Sequence, residues 1–235
     1  MPALLVTGTD TEVGKTVLVT ALAAYWQHYC GDRPGSLLKL VQTGVGDREL
    51  YERLFGDVPC LQLAAPVTFE TPAAPPIAAA LAGETVDLQS VWAALAGLQE
   101  TCDFTFVEAL GGLGSPVTEE LTVADIAALW KLPVVLVVPV KLGAIAQVVA
   151  NVALARQAGV DLRGIVLNCA QPQAEAKLDL WAPRELLVRL TQVPVLGLIP
   201  HLDQPTDLGR LAQVASDLEL ETLLPLLPLG GRVAR

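Results

Sequence analysis

Short apolar runs alternate along the chain with longer segments in which apolar residues recur every three or four positions. Strand-length runs alternating with segments of helical period are typical of a parallel sheet that has helices packed on it. One run, 133–140, is β-branched and apolar almost throughout, as expected of a strand buried on both faces. The pattern therefore predicts an α/β fold in which a single doubly wound, mainly parallel sheet of about seven strands is flanked by helices.

The predicted elements follow from these runs and from their capping residues. Strands are expected at 3–7, 36–41, 104–108, 133–140, 164–168 and 195–200. Helices are expected at 17–29, 47–55, 77–82, 88–102, 122–129, 144–158, 183–191 and 208–218, with Asp47 and Asp87 as N-caps and Gly159 as a C-terminal stop. The proline-rich segment 59–76 is expected to be an irregular loop across the active edge of the sheet. We expect one domain over 1–235, with 219–235 a tail that packs and then becomes disordered.

A glycine-containing loop, Val6-Thr-Gly-Thr-Asp-Thr-Glu-Val-Gly-Lys-Thr16, joins the first strand to the first helix. This is the context that a phosphate-binding loop requires, because glycine permits close approach and the free N–H groups of a helix N-terminus attract phosphate. Lys15 can reach the β- and γ-phosphates, and the Thr16 hydroxyl can contact Mg²⁺. The strict pattern has glycine at position 9, where this chain has Thr9 after Gly8, so the loop is a variant. The alternative is a surface turn that contains Gly-Lys-Thr by chance.

Several polar residues lie at or near the carboxyl ends of predicted strands, the edge at which open α/β sheets bind ligands. Lys39 lies in an apolar strand, which is costly unless its ammonium is paired or faces an anion; a lysine on an edge strand facing water is the alternative. Glu108 ends the third predicted strand and resembles the carboxylate that holds Mg²⁺ beside a phosphate loop. Lys141, Asn168 and His201 have the same position in three other strands. Their clustering predicts a ligand site at this edge.

Composition and charge narrow the classes of partner. The 235 residues are 52% apolar, and the net charge is −10 with no Lys/Arg run, which argues against nucleic acid or an anionic membrane as a partner. Mean hydropathy is positive, yet no stretch of about 18 apolar residues is free of charge and proline. The N-terminus lacks a basic leader, and four scattered cysteines suggest reduced thiols. We therefore expect a cytoplasmic protein with small-molecule partners.

Five segments resemble the dethiobiotin synthetase family of P-loop proteins, and Asp47 matches an acidic residue that follows the second of them. They are the loop 8–16, Lys39-Leu-Val-Gln-Thr-Gly44, Val107-Glu-Ala-Leu-Gly-Gly112, Val140-Lys-Leu-Gly143 and Ile199-Pro-His-Leu202. The segments span roughly 3–206 in the family's order. The resemblance implies a P-loop NTPase fold and an ATP-dependent cyclo-ligase of biotin biosynthesis, which forms carbon–nitrogen bonds.

The resemblance also implies a reaction. The substrate is 7,8-diaminopelargonate, one amine of which takes up CO₂ as a carbamate. ATP with Mg²⁺ phosphorylates the carbamate, and the second amine closes the ureido ring of dethiobiotin and releases phosphate. The family is homodimeric, and the substrate carboxylate binds at a helix N-terminus near the dimer interface.

Site residues are carried over from the family position by position. Catalysis is assigned to Lys39 and Lys15, and the Mg²⁺ ligands are Thr16, Asp47 and Glu108. Nucleotide contacts are assigned to Glu12, Val13, Gly14, Lys15, Thr16, Val17, Asp47, Glu108, Ala109, Leu110, Gly111, Asn168, Cys169, Pro200, His201 and Leu202. Substrate contacts are assigned to Thr11, Lys39, Thr43, Gly143, Ala144 and Ile145.

The chain departs from the family pattern in places that bear on substrate-tail and dimer contacts more than on the ATP site. The departures are Ala109-Leu110 for the usual glycine and alanine, Ala146-Gln147 for Asn-His, and Ala74-Pro75-Pro76 for Ser-Pro-His. His201 replaces a common aromatic residue; it either stacks on adenine or is an exposed loop histidine.

Two other functions share the same loop. A switch ATPase of the ParA/MinD type has a signature lysine five residues before the loop lysine, where this chain has Asp10. An aspartate there would repel phosphate. The second is the ATP-binding half of a cobyrinate-type amide-forming synthetase, whose glutaminase domain would not fit within 235 residues.

Overall fold

Nine strands are present in the computed structural model, which describes residues 2–225. They are β1 (Ala3–Gly8), β2 (Gly35–Lys39), β3 (Gln42–Thr43), β4 (Leu61–Ala64), β5 (Thr68–Phe69), β6 (Phe104–Gly112), β7 (Val134–Pro139), β8 (Leu162–Asn168) and β9 (Val195–Ile199). Seven of them form one sheet in the order β4-β2-β6-β1-β7-β8-β9, in which every neighbouring pair is parallel. The other two, β3 and β5, pair in parallel beside it.

Ten α-helices and one 3₁₀ turn connect the strands in the described part of the chain. They are α1 (Lys15–Tyr29), α2 (Asp47–Phe55), α3 (Pro75–Ala82), α4 (Leu88–Thr101), α5 (Val123–Leu129), α6 (Ala144–Ala158), the 3₁₀ turn Glu175–Lys177, α7 (Leu178–Trp181), α8 (Arg184–Thr191), α9 (Leu208–Ser216) and α10 (Leu220–Leu223). Among these helices, none is long and apolar enough to span a membrane.

Alternate residues of the central strands pack on opposite faces of the sheet, as the pleat of a strand requires. Leu4 and Val6 of β1 belong to a core that includes buried residues of α1 and α9, whereas Leu5 belongs to a second core with residues of α4 and α5. On β7, Leu136 belongs to a third core with residues of α6 and α8. Because helices cover both faces, the sheet is doubly wound and its central strands are mostly apolar and buried, which confirms the predicted fold class.

Strand register brings the candidate residues together. β6 lies between β1 and β2, with Glu108 paired to Val6 on one side and to Lys39 on the other. The loop that follows β1 and the helix α2 therefore reach the same carboxyl edge. Lys39 and Glu108 are therefore neighbours near this edge, in agreement with the predicted clustering of polar residues there.

The structure corrects three local predictions. Segment 59–76 is not irregular throughout, since it contains the edge strand β4 and the short strand β5; its prolines flank these strands and do not interrupt them. Strand β6 continues past Glu108 to Gly112, so that Glu108 lies within the strand. The predicted tail needs no correction over 219–225, which includes α10 and the buried Leu223 and Leu224, and 226–235 lies outside the described residues.

Asp47 is the third correction, because it is not the N-cap of α2. The cap is Gly46, whose N–H donates to Glu49 Oε2 at 2.8 Å, and Asp47 is the first helical residue. Its carboxylate is instead bonded to side chains from two other segments, as described below. Asp87, by contrast, caps α4 as predicted, since its side chain accepts from the Ser90 N–H.

Candidate active site

A cleft of about 660 Å³ opens at the carboxyl edge of the sheet, between the phosphate loop and the proline-rich segment. The charged and polar residues on its floor come from β1–α1, β2, α2 and β6. Its lining includes Thr11, Glu12, Lys15, Thr16, Lys39, Thr43, Asp47, Glu108, Leu110, Gly111, Ser115, Pro116 and 72–75. The structure thus brings Thr11 and Thr43 into the same cleft as the two lysines, and it places 72–75 across the edge as predicted.

The loop before α1 is held in shape by close packing. A Cβ at Gly8 would lie 2.3 Å from Val13 Cγ2, so glycine is required at position 8 by a contact inside the loop. Gly14 has a φ of +98°, a conformation that favours glycine, and a Cβ there would lie 2.0 Å from Asn168 Nδ2. The Asn168 amide donates to the Val13 carbonyl oxygen at 2.9 Å. The end of β8 therefore fixes the loop immediately before Lys15.

Lys39 is the centre of a buried ionic cluster. Its side chain is 6% exposed, and its ammonium donates to Asp47 Oδ2 and to the Ala109 carbonyl oxygen and lies 3.3 Å from Glu108 Oε1. Glu108 is 1% exposed. Burial tends to lower the pKa of Lys39, but the charges of Glu108 and Asp47 outweigh it, so that this pKa lies above its ordinary value. The prediction that the ammonium of Lys39 is paired and does not face water is therefore confirmed.

The pKa of Asp47, in the same cluster, is shifted in the opposite direction from that of Lys39. Burial tends to raise the pKa of its carboxyl, but Lys39 and the hydroxyl of Thr16 hold the pKa below its ordinary value. Asp47 is therefore ionised at neutral pH and faces the cleft as an anion.

Lys15 lies near the cluster at the start of α1. It is buried, and its ammonium donates to the Asp10 carbonyl oxygen at 3.1 Å. Burial lowers the pKa of this lysine, an effect that Glu108 opposes. With Lys39, Asp47 and Glu108, the site contains two lysines and two acidic residues, so their formal charges cancel.

The hydroxyl of Thr16 lies between the two carboxylates, 2.8 Å from Asp47 Oδ1 and 2.8 Å from Glu108 Oε1. A hydroxyl has one proton, so only one of these oxygens can accept from it at a time. Three hard oxygen donors that converge in this way fit Mg²⁺, which is usually held by one or two carboxylates together with waters and substrate phosphates. Within the described residues no group of three or more His, Cys, Asp or Glu side chains forms a metal site, and two carboxylates with one hydroxyl suit a metal that arrives with a nucleotide.

Tyr51 is a site residue that the sequence prediction missed. Its side chain is buried, and its hydroxyl donates to Glu108 Oε2. Tyr51 follows Asp47 by four residues, so both lie on one face of α2. This spacing could have revealed Tyr51 as a site residue, because a tyrosine one helical turn after a site aspartate lies on the same face of the helix.

The residues predicted to contact a base lie at the ends of β8 and β9. Asn168 pairs with Ile199 across the two strands, and the Cys169 N–H donates to the Ile199 carbonyl oxygen at 2.9 Å. The Cys169 thiol is buried, and burial raises its pKa to about 11. The His201 N–H donates to Glu175 Oε1 at 2.7 Å, and the ring is partly exposed. Pro200 and Leu202 are half-buried beside it.

The residues predicted to bind the substrate carboxylate are not part of this cleft in the described chain. Gly143, with a φ of +91°, precedes α6, whose N-terminus has no side-chain cap, while Ala144 is buried and Ile145 is half-buried. None of the three lines the cleft that contains Lys39. Within a single chain, the α6 N-terminus and the charged floor are separate features.

Similarity to known proteins extends over most of the chain. Residues 2–207 match a family described as an AAA domain. An ATP-dependent dethiobiotin synthetase of Gloeothece citriformis is 59% identical over 226 residues, which cover 96% of this chain and 100% of that protein. The corresponding enzymes of Synechocystis and Crocosphaera subtropica are 53% and 52% identical and cover 94% and 95% of this chain, and 94% and 100% of their own lengths.

Solved structures with the same fold include a ParA family ATPase from Chlorobium tepidum, with a TM-score of 0.62, 13% identity and coverage of 94% of this chain and 97% of that one. A MinC:MinD cell division complex of Aquifex aeolicus matches with a TM-score of 0.58 and 14% identity, covering 100% and 99% of the two chains. At these identities the likeness shows the fold alone.

Proposed function

Because this chain belongs to the ATP-dependent dethiobiotin synthetase family, we propose that it converts 7,8-diaminopelargonate, CO₂ and ATP into dethiobiotin, ADP and phosphate. One amine adds to CO₂ and loses a proton, which gives a carbamate. A carbamate oxygen takes the γ-phosphoryl group of ATP, and ADP leaves. The second amine then attacks the carbamoyl carbon and loses a proton, phosphate departs with its C–O bond electrons, and the ureido ring is closed.

We propose that the loop before α1 and the carboxylate pair bind the nucleotide phosphates and Mg²⁺. Phosphoryl transfer depends on positioning and on neutralising charge more than on a covalent protein intermediate. The Lys15 ammonium would leave the Asp10 carbonyl oxygen for the phosphates, and Thr16, Asp47 and Glu108 would hold the metal. Mg²⁺ bound with ATP supplies charge neutralisation at the transferring phosphoryl group.

Lys39 is proposed as the catalytic residue for the carbamate. Its ammonium is fixed between two carboxylates and lies under the cleft that also contains Thr11 and Thr43. A fixed cation stabilises an anionic carbamate and its phosphorylated form without reorganisation at the moment of reaction. The two threonine hydroxyls are suited to hydrogen bonds with the diamine or carbamate end.

The far end of the substrate is proposed to bind at the N-terminus of α6 in a homodimer. Free N–H groups at a helix N-terminus suit a carboxylate, and this one has no side-chain cap. Since Gly143, Ala144 and Ile145 do not line the cleft of their own chain, a second copy would have to bring its own α6 N-terminus to the site. We expect the dimer to be cytoplasmic and to bind neither nucleic acid nor membrane.

The base of ATP is proposed to contact the ends of β8 and β9. Asn168 and Gly14 lie against each other there, so the same amide that fixes the loop also borders the proposed base site. Pro200, His201 and Leu202 follow β9, which neighbours β8 in the sheet. Glu12 and Val13 of the loop and Val17 of α1 would lie between the base and the phosphates.

The convergence of Lys39, Asp47, Glu108 and Thr16 in one cleft is the observation that supports this function most. A phosphate-release assay tests it. With Mg²⁺, ATP and bicarbonate, phosphate release should require 7,8-diaminopelargonate. Release that is independent of the diamine and stimulated by a protein partner would support a ParA/MinD-type switch instead. Asp10 at the position of the switch family's lysine argues against that alternative.

A further inference from the structure

Helix α2 is held at the sheet by two buried side chains and by Asp47, which contacts Lys39 of β2 and Thr16 of α1. Of its nine residues only Tyr51 and Phe55 are buried, and both belong to the core beside α1. Phe55 offers apolar packing alone. Tyr51 adds the polar contact from its hydroxyl to Glu108 Oε2 on β6. The contact of α2 with β6 therefore includes a phenol that ends at a site carboxylate.

The two oxygens of Glu108 have different partners. Oε1 lies 2.8 Å from the Thr16 hydroxyl and 3.3 Å from the Lys39 ammonium, whereas Oε2 accepts from Tyr51. With Oε2 held on the α2 side, Oε1 stays directed at Thr16. Because Glu108 is 1% exposed, no solvent would replace the phenol if it were removed.

We propose that Tyr51 is a positioning residue that sets the geometry of the Mg²⁺ site, a role that rests on the proposed function of Asp47 and Glu108 as metal ligands. Tyr51 and Asp47 are one turn apart on α2, so the phenol that holds Glu108 also fixes the helix that presents Asp47. It thereby fixes how far apart the two carboxylates lie on either side of Thr16. Tyr51 does not touch the nucleotide or the substrate in this account.

The phenol also determines how Glu108 can bind a metal. A carboxylate with one oxygen already bonded to a phenol offers its other oxygen alone, which matches the near-octahedral geometry that Mg²⁺ demands. Without the phenol, Glu108 could rotate and offer both oxygens. Hydrogen-bond partners of metal ligands typically change metal affinity about 10–100-fold when they are removed.

Binding of a non-hydrolysable ATP analogue to Tyr51→Phe tests the proposal. The dissociation constant is measured once with excess Mg²⁺ and once in EDTA, and the ratio of the two reports the contribution of the metal. We expect the ratio to change about 10–100-fold in Tyr51→Phe, with metal-free binding nearly unaffected. Tyr29→Phe, at a tyrosine that is 44% exposed, is the matched control and should keep the wild-type ratio.

If Tyr51 had a structural role alone, Tyr51→Phe would lower the melting temperature without changing the ratio of the two dissociation constants. A folded Tyr51→Phe protein with the wild-type ratio would therefore overturn the proposal. The ratio does not depend on turnover. A protein that shows it but releases no diamine-dependent phosphate would contradict the proposed function and leave the role of Tyr51 in metal binding standing.

A second measurement avoids the variant, in case Tyr51→Phe does not fold. The chain has three tyrosines, so 3-fluorotyrosine labelling gives three ¹⁹F resonances, and Tyr25→Phe and Tyr29→Phe assign the third to Tyr51. Adding Mg²⁺ to the complex with the ATP analogue should shift the Tyr51 resonance more than the other two. A Tyr51 resonance that does not respond to Mg²⁺ would also overturn the proposal.

Discussion

The carboxyl edge of the sheet has two halves that are built differently. In what we call the phosphate half (Lys15, Thr16, Lys39, Asp47 and Glu108), the charged and hydroxyl side chains contact one another directly, except Lys15, which donates to the Asp10 carbonyl oxygen. In the base half (Asn168, Cys169, Pro200, His201 and Leu202), most bonds run through the main chain, as with the N–H groups of Cys169 and His201. Side-chain substitutions should therefore reduce activity most in the phosphate half. In the base half, nucleotide binding should depend mainly on the shape of the backbone.

The largest effect is expected from Lys39→Met in the phosphate half. The change removes the cation from between two carboxylates, and loss of such electrostatic stabilisation typically lowers kcat about 10²–10³-fold. ATP binding should change much less, because Lys15 and the loop remain. Steady-state kinetics with the diamine and calorimetric ATP titration measure the two quantities. Lys131→Met, at an exposed lysine on the surface, is the control, and unchanged turnover in Lys39→Met would remove Lys39 from the mechanism.

Gly14→Ala should have the next largest effect, at the junction of the two halves. Its φ of +98° is strained for alanine, and the new Cβ would lie 2.0 Å from Asn168 Nδ2. Backbone strain costs about 1–3 kcal/mol. If it raises the free energy of the ATP-bound protein relative to the free protein by that amount, ATP binding weakens about 5–150-fold. Gly97→Ala, at a helical glycine with no atom within 4 Å of the added Cβ, should leave ATP binding unchanged. Equal ATP affinity in the two variants would contradict the loop geometry described here.

The pH dependence of stability tests whether the phosphate half is an ionic cluster. The pKa of Asp47 is lowered in the folded chain, so its contribution is present above the ordinary value of 3.8 and is lost as the pH falls. The pKa of Lys39 is raised, so its contribution is present below the ordinary value of 10.5 and is lost as the pH rises.

Urea unfolding as a function of pH should therefore show a plateau between these limits, with the free energy of unfolding falling on both sides. Lys39→Met should weaken both falls, since it removes the partner of Asp47 as well as the titrating lysine. Falls of wild-type size at both ends in Lys39→Met would show that other groups produce them.

His201→Ala is expected to have the smallest effect, because the hydrogen bond of His201 to Glu175 is made by the main-chain N–H, and its ring contacts the exposed Asp203, with Nε2 3.6 Å from Oδ1. We expect ATP affinity to change less than about threefold. The change would be larger if the ring stacked on the base, because such stacking contributes roughly 1–3 kcal/mol. Competition binding with a fluorescent nucleotide measures it. A loss of tenfold or more would mean that the His201 ring stacks on the base and that the base half also depends on a side chain.

The two halves also differ in how far the sequence predicts them. Lys39 could be found because a charge within an apolar strand is costly without a partner. Glu108 could be found because it lies near the carboxyl end of a strand in a chain that has a phosphate loop. Asp47 was placed correctly near the site but given the wrong local role, since capping and ligation favour the same residue type. Tyr51 was missed because a tyrosine in an amphipathic helix is equally consistent with a purely apolar core position.

Other features of the site depend on tertiary contacts that no local pattern encodes. Asn168 and Val13 are 155 positions apart, and their bond follows from the placement of β8 beside β7 and the loop. The need for glycine at position 8 arises from its contact with Val13 across the loop. The alternation of strands and helices, by contrast, follows from periodicity alone, and that is why the fold class was predictable while these contacts were not.

The central claim is that the side chains of the phosphate half couple ATP cleavage to ring closure. It is tested most directly by measuring phosphate and dethiobiotin together, with 7,8-diaminopelargonate, ¹³C-bicarbonate, Mg²⁺ and ATP. The account predicts one phosphate released for each dethiobiotin formed, the label in the ureido carbonyl, and neither product when the diamine is omitted. Phosphate released without the diamine, or without labelled dethiobiotin, would contradict it.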